Sequence, residues 1–131
     1  MSPITYTVDI TWHDVEAIER FVGERIRQQA AQVSQESPEG RIARALGALV
    51  TDSVWDARIA LEVDEPALTD DKLQLHHQLK EAWRRLVTVA LCWQDDPGYQ
   101  KDRWRYVTHT DATYKRTFRS TVLAAVQRSA Q

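Results

Sequence analysis

The sequence predicts an all-α protein, an antiparallel bundle of about four helices with a short extended N-terminal arm or strand. Apolar residues recur at helical spacing in four segments. Capping and helix-breaking residues separate these segments. The composition agrees, because 131 residues with 43% hydrophobic side chains, 4 Gly and 4 Pro can bury a core and contain no linker. Residues 1–131 are therefore predicted to form a single helical domain.

The first helix is predicted over about residues 13–34. Thr11 suits the N-cap, and Asp14 in the first turn complements the helix dipole. Before it, apolar and polar residues alternate over residues 4–10, which predicts a short strand or an extended arm. Such a strand must pair elsewhere in the chain, pair with another copy, or lie across the helices. The inward face of the helix is predicted to carry Val15, Ile18, Phe21, Val22, Ile26, Ala30 and Val33.

The second helical segment begins after a break over residues 34–40. Ser37 and Pro38 supply a cap and a first-turn proline. The triplet Thr51-Asp52-Ser53 could cap a separate continuation, so the segment is either one kinked helix or two short ones ending before Pro66.

The third and fourth helices follow. Thr69 can cap the third, and Leu68 and Leu73 have the spacing of a hydrophobic staple. This helix can run to about Trp93, where residues 95–98 stop it. A final helix opens at Thr110, with an inward face formed by Tyr114, Phe118, Val122, Ala125 and Val126.

Charge is divided unevenly along the chain. Residues 1–98 hold 10 Lys/Arg and 17 Asp/Glu, whereas residues 99–131 hold 7 and 2. A basic segment that also contains aromatic residues suits a polyanion or an acidic protein surface. Because the first 98 residues are themselves acidic, neutralisation within the fold or across a dimer is the simpler interpretation.

Trp104 is the aromatic residue in this basic segment with the clearest alternative roles. Flanked by arginines, its ring could stack on a nucleic-acid base while the guanidinium groups hold phosphates. The alternative, which we favour because stacking platforms need several aromatics, is that Trp104 fills the core between the third and last helices. The candidate surface for nucleic acid or a partner comprises Lys101, Arg103, Trp104, Arg105, Tyr106, Lys115, Arg116 and Arg119. Three other tryptophans in apolar contexts are predicted to be core or interface anchors, namely Trp55, Trp83 and Trp93.

Candidates for catalysis or metal binding are few. On a helix, His77 and Glu81 share a face, and Asp70 lies two turns earlier on it. No second His or Cys is forced onto that face, so we expect no metal site there, a partly buried His76 and an exposed His77. Cys92 is the only cysteine and is predicted to be a small buried hydrophobe. We expect Asp95 and Asp96 to form a turn by bonding their own backbone, and no catalytic group or cofactor is predicted.

Two stretches resemble a group of small helical proteins of actinobacteria and their phages that has no established activity. FVGERIRQQAAQ (21–32) is similar to the opening helix of those proteins. LVTVALCWQDDPGYQKDRW (86–104) resembles their closing box, in which an apolar helix end is followed by aromatic-x-D-H-P-x-Y and a Trp. Asp96 stands where that box has His, and 27 residues follow Trp104, where those proteins stop soon after the Trp. The resemblance implies an actinobacterial or phage source and no mechanism.

The sequence therefore predicts a non-catalytic, cytoplasmic protein that docks to a protein partner or to a second copy of itself. The first alternative is an accessory protein that binds nucleic acid through the basic aromatic segment, and the second is a small metal-dependent enzyme at His77 and Glu81. The cytoplasmic location is predicted because the N-terminus lacks a secretory signal. A membrane partner is not expected, because the longest apolar stretch, residues 86–93, is far shorter than a bilayer span.

Overall fold

The computed structural model describes residues 4, 7–62 and 70–107, and this part of the chain is all-helical. Three long helices comprise α1 (Trp12–Gln32), α2 (Pro38–Glu62) and α3 (Asp70–Ala90). Short 3-10 helices cover Thr7–Asp9 and Leu91–Trp93. The all-α fold class is confirmed, and no helix of the described part is long and apolar enough to cross a membrane. The predicted fourth helix from Thr110 lies outside the described residues.

α1 begins after Thr11, the N-cap residue that the sequence predicts. The Asp14 N–H donates to Thr11 Oγ1 at 3.2 Å, and the Thr11 N–H donates to Asp14 Oδ2 at 2.9 Å. This reciprocal pair is a capping box, which satisfies two backbone donors that the helix leaves open. In place of the predicted strand, Thr7–Asp9 forms a 3-10 turn. Ile4 and Ile10 on either side of it are buried in the core, so the described residues of the N-terminal segment pack against the helices.

α2 is one continuous helix rather than two. Ser37 is its cap, since Ser37 Oγ accepts from the Gly40 N–H at 3.1 Å. Gly40 is required there, because a Cβ at this position would lie 2.1 Å from the Ser34 carbonyl oxygen. Thr51, a candidate cap in the sequence, instead donates its hydroxyl to the Gly47 carbonyl oxygen at 3.0 Å and continues the helix.

α3 passes into its 3-10 end and then into a turn before the C-terminal segment. Gly98 adopts a φ of 92°, a conformation that other residues rarely accept. The prediction that Asp96 bonds its own backbone is wrong, because Asp96 Oδ2 accepts from Arg25 Nε on α1 at 2.9 Å. Arg25 also donates to the Pro97 carbonyl oxygen at 3.1 Å, which ties this turn to α1. The predicted Thr69 cap and the staple between Leu68 and Leu73 lie outside the residues and side chains described.

The core lies where the three helices meet. Trp83 on α3 is fully buried, as predicted, and its Nε1 donates to the Arg105 carbonyl oxygen at 2.8 Å. Arg85 joins α3 to α2 by donating to Ser53 Oγ and Asp56 Oδ2, both at 2.9 Å. The other large apolar side chains of the helical core are Val15, Ile18, Phe21, Val22, Ile26, Val50, Val54, Leu79, Leu86, Val87 and Val89.

Candidate functional site

An open groove of about 700 Å³ runs between α1 and α2. The two helices run in opposite directions, because the Arg58 guanidinium lies over the Trp12 ring and Gly47 lies beside Ile26. The N-terminal half of α1 therefore faces the C-terminal half of α2. The groove is lined by Trp12, Glu16, Glu19, Arg20, Gly23, Ile26, Arg27, Gly47, Val50, Thr51, Val54, Trp55 and Arg58.

Two glycines keep the groove open. A Cβ placed on Gly47 would meet only a methyl group of Ile26, at 3.9 Å. The atoms nearest to a Cβ placed on Gly23 belong to the Arg27 guanidinium, the closest at 3.3 Å. α2 therefore has no side chain at Gly47, and α1 places only the flexible end of Arg27 over Gly23, so the backbone of another element could approach closely.

Two tryptophans and an arginine form one end of the groove. Trp55 is 59% exposed and Trp12 is 37% exposed. The Arg58 guanidinium carbon lies 5.9 Å from the centroid of the Trp12 ring and 6.0 Å from that of Trp55, within the range of cation–π attraction. Arg58 Nε also donates to Glu62 Oε1 at 2.9 Å, which fixes its position. We call Trp12, Trp55 and Arg58 the aromatic end of the groove.

Charged side chains follow α1 along the groove. Glu16 and Glu19 lie nearer its N-terminus, and Arg20 and Arg27 follow them. All four are exposed, and none of them forms an ion pair within the described residues. Their charges are therefore available to another molecule.

Trp104 lies in the core and not on a binding surface. It is 3% exposed, with its ring centroid 4.8 Å from that of Phe21 and 5.2 Å from that of Tyr99. Both contacts are edge-on, a favourable geometry for aromatic pairs. The prediction that Trp104 fills the core is confirmed, with Phe21 of α1 against its ring, and the last helix on which it was also predicted to pack lies outside the described residues. Its ring faces are covered, so the proposed base-stacking role for Trp104 is wrong.

Arg103 is held in an ion pair with Asp14 of α1. Arg103 Nε donates to Asp14 Oδ1 at 3.0 Å, a second N–H donates to Oδ2, and another donates to the Asp9 carbonyl oxygen at 2.9 Å. Burial alone would raise the pKa of the Asp14 carboxyl, but the hydrogen bonds from Arg103 and Thr11 outweigh it, and the pKa lies below its usual value. The same pair raises the pKa of Arg103. Here a basic residue of the C-terminal segment neutralises one carboxylate of the acidic part within the fold.

The remaining residues of the predicted basic surface are divided. Lys101, Arg105 and Tyr106 are exposed. The Tyr106 hydroxyl lies 2.9 Å from Thr88 Oγ1, which holds this segment against α3. With Trp104 buried and Arg103 bound to Asp14, the described part presents only these three on the surface that was predicted to bind nucleic acid. The other predicted members lie outside the described residues, namely Lys115, Arg116 and Arg119.

The predicted histidine environments are confirmed. His76 is half-buried, with Nδ1 3.1 Å from Thr7 Oγ1, and His77 is exposed. The weak metal candidates were His77, Glu81 and Asp70, and the side chain of Asp70 lies outside the described part. Among the side chains described, no three His, Cys, Asp or Glu residues come together as a metal site.

One prediction of burial is wrong. Cys92 is exposed, because the chain turns into a 3-10 helix at Leu91 and the helical face no longer points inward. Trp55 was predicted to be a core or an interface anchor, and the core is excluded: it is exposed because it follows Val54, which occupies the inward position of that turn of α2. Trp93 packs against the core while remaining partly accessible.

Searches for relatives return no matching family model, no curated protein and no solved structure with significant similarity to this chain. The function must therefore be argued from the geometry of the chain itself.

Proposed function

We propose that this chain is a non-catalytic helical interaction protein that binds a helix of a protein partner in the groove between α1 and α2. One observation carries the proposal: two exposed tryptophans share an arginine at the end of an open groove. Trp and Arg are, with Tyr, the residues enriched among those that dominate binding energy at protein interfaces. An exposed Trp55 that packs on little of its own chain leaves a large apolar area open to water, which a partner would cover.

The shape of the groove favours a helix as the bound element. It lies between two antiparallel helices and is open at Gly23 and Gly47, where a third helix can approach. Helix-in-groove recognition places apolar anchors of the ligand at intervals of three or four residues. The actinobacterial or phage source and the cytoplasmic location predicted from the sequence stay predictions, and the proposal does not depend on them.

Position-specific photo-crosslinking tests the proposal with a matched control. A photoreactive amino acid replaces Thr51 in the groove, or Thr88 on α3. Both threonines are exposed helical residues whose hydroxyls donate to the carbonyl four residues earlier, at 3.0 Å and 2.7 Å. We expect a protein adduct at position 51 in the producing cells, absent at position 88 and lost when Trp55→Ala is added.

Purified wild-type protein should compete for the adduct. Equal adducts at both positions, no adduct at position 51, or an adduct that nuclease removes would each contradict the proposal. The last of these would favour the nucleic-acid function instead.

A further inference from the structure

We propose that the element bound in the groove is α1 of a second copy of this chain, packed antiparallel across a two-fold axis near Gly23. The inference rests on the proposed function and names its partner. Its basis is the pair Glu19 and Arg27, whose charges are complementary when α1 is reversed about Gly23.

Glu19 and Arg27 lie four residues before and four residues after Gly23, so all three share one face of α1. This face lines the groove. A two-fold axis near Gly23 brings Glu19 of each copy beside Arg27 of the other. Both side chains are exposed and neither forms an ion pair within the described residues, so each would find its counterpart only across the axis.

The centre of the contact is shaped for close approach. Gly23 has no side chain, and the atoms nearest to a Cβ placed there belong to the Arg27 guanidinium, which is flexible. Gly47 of α2 lies across the groove and is equally open. Two copies of α1 can therefore meet near Gly23 without displacing a fixed side chain. A two-fold contact uses the same surface patch on both copies, as this arrangement requires.

The aromatic end gives each copy an apolar anchor. In the reversed arrangement, Trp12 and Trp55 lie over the C-terminal turns of the second copy's α1. Helical spacing places Ala30 on the face of Gly23 and Arg27 in those turns, and it is half-buried and small enough to accept an indole ring. The two-fold axis places one such anchor at each end of the contact. The apolar contacts therefore lie at the two ends of the interface, on either side of the two charge pairs.

Charge reversal tests the arrangement. Arg27→Glu would place two carboxylates together at each of the two symmetric positions, and Glu19→Arg would place two cations together. At low ionic strength, where exposed charges are least screened, we expect either change to weaken self-association at least about tenfold. The measurement is sedimentation velocity of the full-length protein over a range of concentrations. In the double variant Glu19→Arg/Arg27→Glu the charges are complementary again, and the dimer should return.

A mixture of the two single variants provides the sharpest readout. When a Glu19→Arg copy meets an Arg27→Glu copy, both symmetric pairs are attractive, so the mixture should form a heterodimer although neither variant dimerises alone. Gly23→Leu should abolish the dimer while the melting temperature stays equal or rises, since leucine is a better helix former than glycine. The matched control is Glu24→Leu, which adds the same side chain one position away at an exposed residue that does not line the groove.

A wild-type protein that stays monomeric at high concentration overturns this inference. So does a dimer that survives both single charge reversals, or a mixture of the two that fails to associate. If the wild type is monomeric but position 51 still crosslinks to a different protein in a Trp55-dependent way, the second-copy inference fails and the proposed function stands. If position 51 gives no adduct either, both fail.

Discussion

Replacing Arg103 tests whether the C-terminal segment is fastened to α1 by a buried charge pair. In Arg103→Met, the methionine keeps much of the arginine's apolar stem but none of its donors. The side chains of Arg103 and Asp14 are only 14% and 7% exposed. The substitution therefore leaves the Asp14 carboxylate buried with Thr11 as its remaining donor. Removing one partner of a buried pair costs about 3–5 kcal/mol, a large fraction of the roughly 5–15 kcal/mol that stabilises a domain.

The assay is equilibrium unfolding in urea at neutral pH, followed by tryptophan fluorescence. The control is Arg58→Met, which removes an ion pair whose side chains are 53% and 64% exposed. An exposed pair of this kind is worth about 0–1 kcal/mol. A loss below about 1 kcal/mol for Arg103→Met, equal to that of the control, would refute the view that this contact is a structural anchor.

If Arg103→Met does not fold, Arg103→Lys gives the second measurement. Lysine keeps the positive charge but cannot donate to both carboxylate oxygens in the same planar fork. We expect a loss between those of the other two variants. An Arg103→Lys protein as stable as the wild type would show that the positive charge alone, and not the bidentate hydrogen bonding of arginine, holds the segment.

Two further outcomes follow from the same contacts. The pKa of Asp14 is lowered in the folded state, so its contribution is present above the usual carboxyl pKa of about 4 and is lost as pH falls through the lower folded value. Asp14→Asn should therefore flatten the loss of unfolding free energy below about pH 4, and an unchanged acid profile would contradict this. Trp83→Phe should be more destabilising than Trp104→Phe by about 1 kcal/mol. Only the Trp83 Nε1–H donates a hydrogen bond, whereas that of Trp104 has none in the described part, and equal losses in urea unfolding would contradict the assignment.

Local signals explain why most of the fold could be predicted. The capping box at Thr11 and Asp14 and the serine cap at Ser37 depend on residues within three positions of each other, so sequence spacing is sufficient. Sequence spacing did not decide whether α2 is one continuous helix or two short ones. A Thr-Asp-Ser triplet can cap a helix or continue one, and the choice is made by tertiary partners such as Arg85, which donates to Ser53 from α3.

Charge composition predicted a basic surface but could not show which cations are free to bind. Arg103 and Asp14 are 89 residues apart in sequence and meet only because the C-terminal segment crosses α1. Trp104 is brought onto Phe21 by the same crossing. The segment resembles a nucleic-acid platform in sequence because both roles use arginine beside tryptophan. What distinguishes them is whether the ring face is exposed, a property of the whole fold.

One residue of the groove, Trp55, could have been predicted from the sequence, although a search for catalytic or binding motifs does not find it. Trp55 lies beside Val54 and off the inward stripe of Val50, Val54 and Ala57, so helical periodicity alone places it toward solvent. A large apolar residue that lies off the buried stripe of an amphipathic helix is stronger evidence of a binding surface than one on the stripe, because core packing does not account for its presence. Trp12 follows the cap of α1 and faces the same groove only because the helices are antiparallel. The position of Trp12 in the groove could therefore be predicted only from the fold, whereas the exposure of Trp55 could be predicted from helical periodicity.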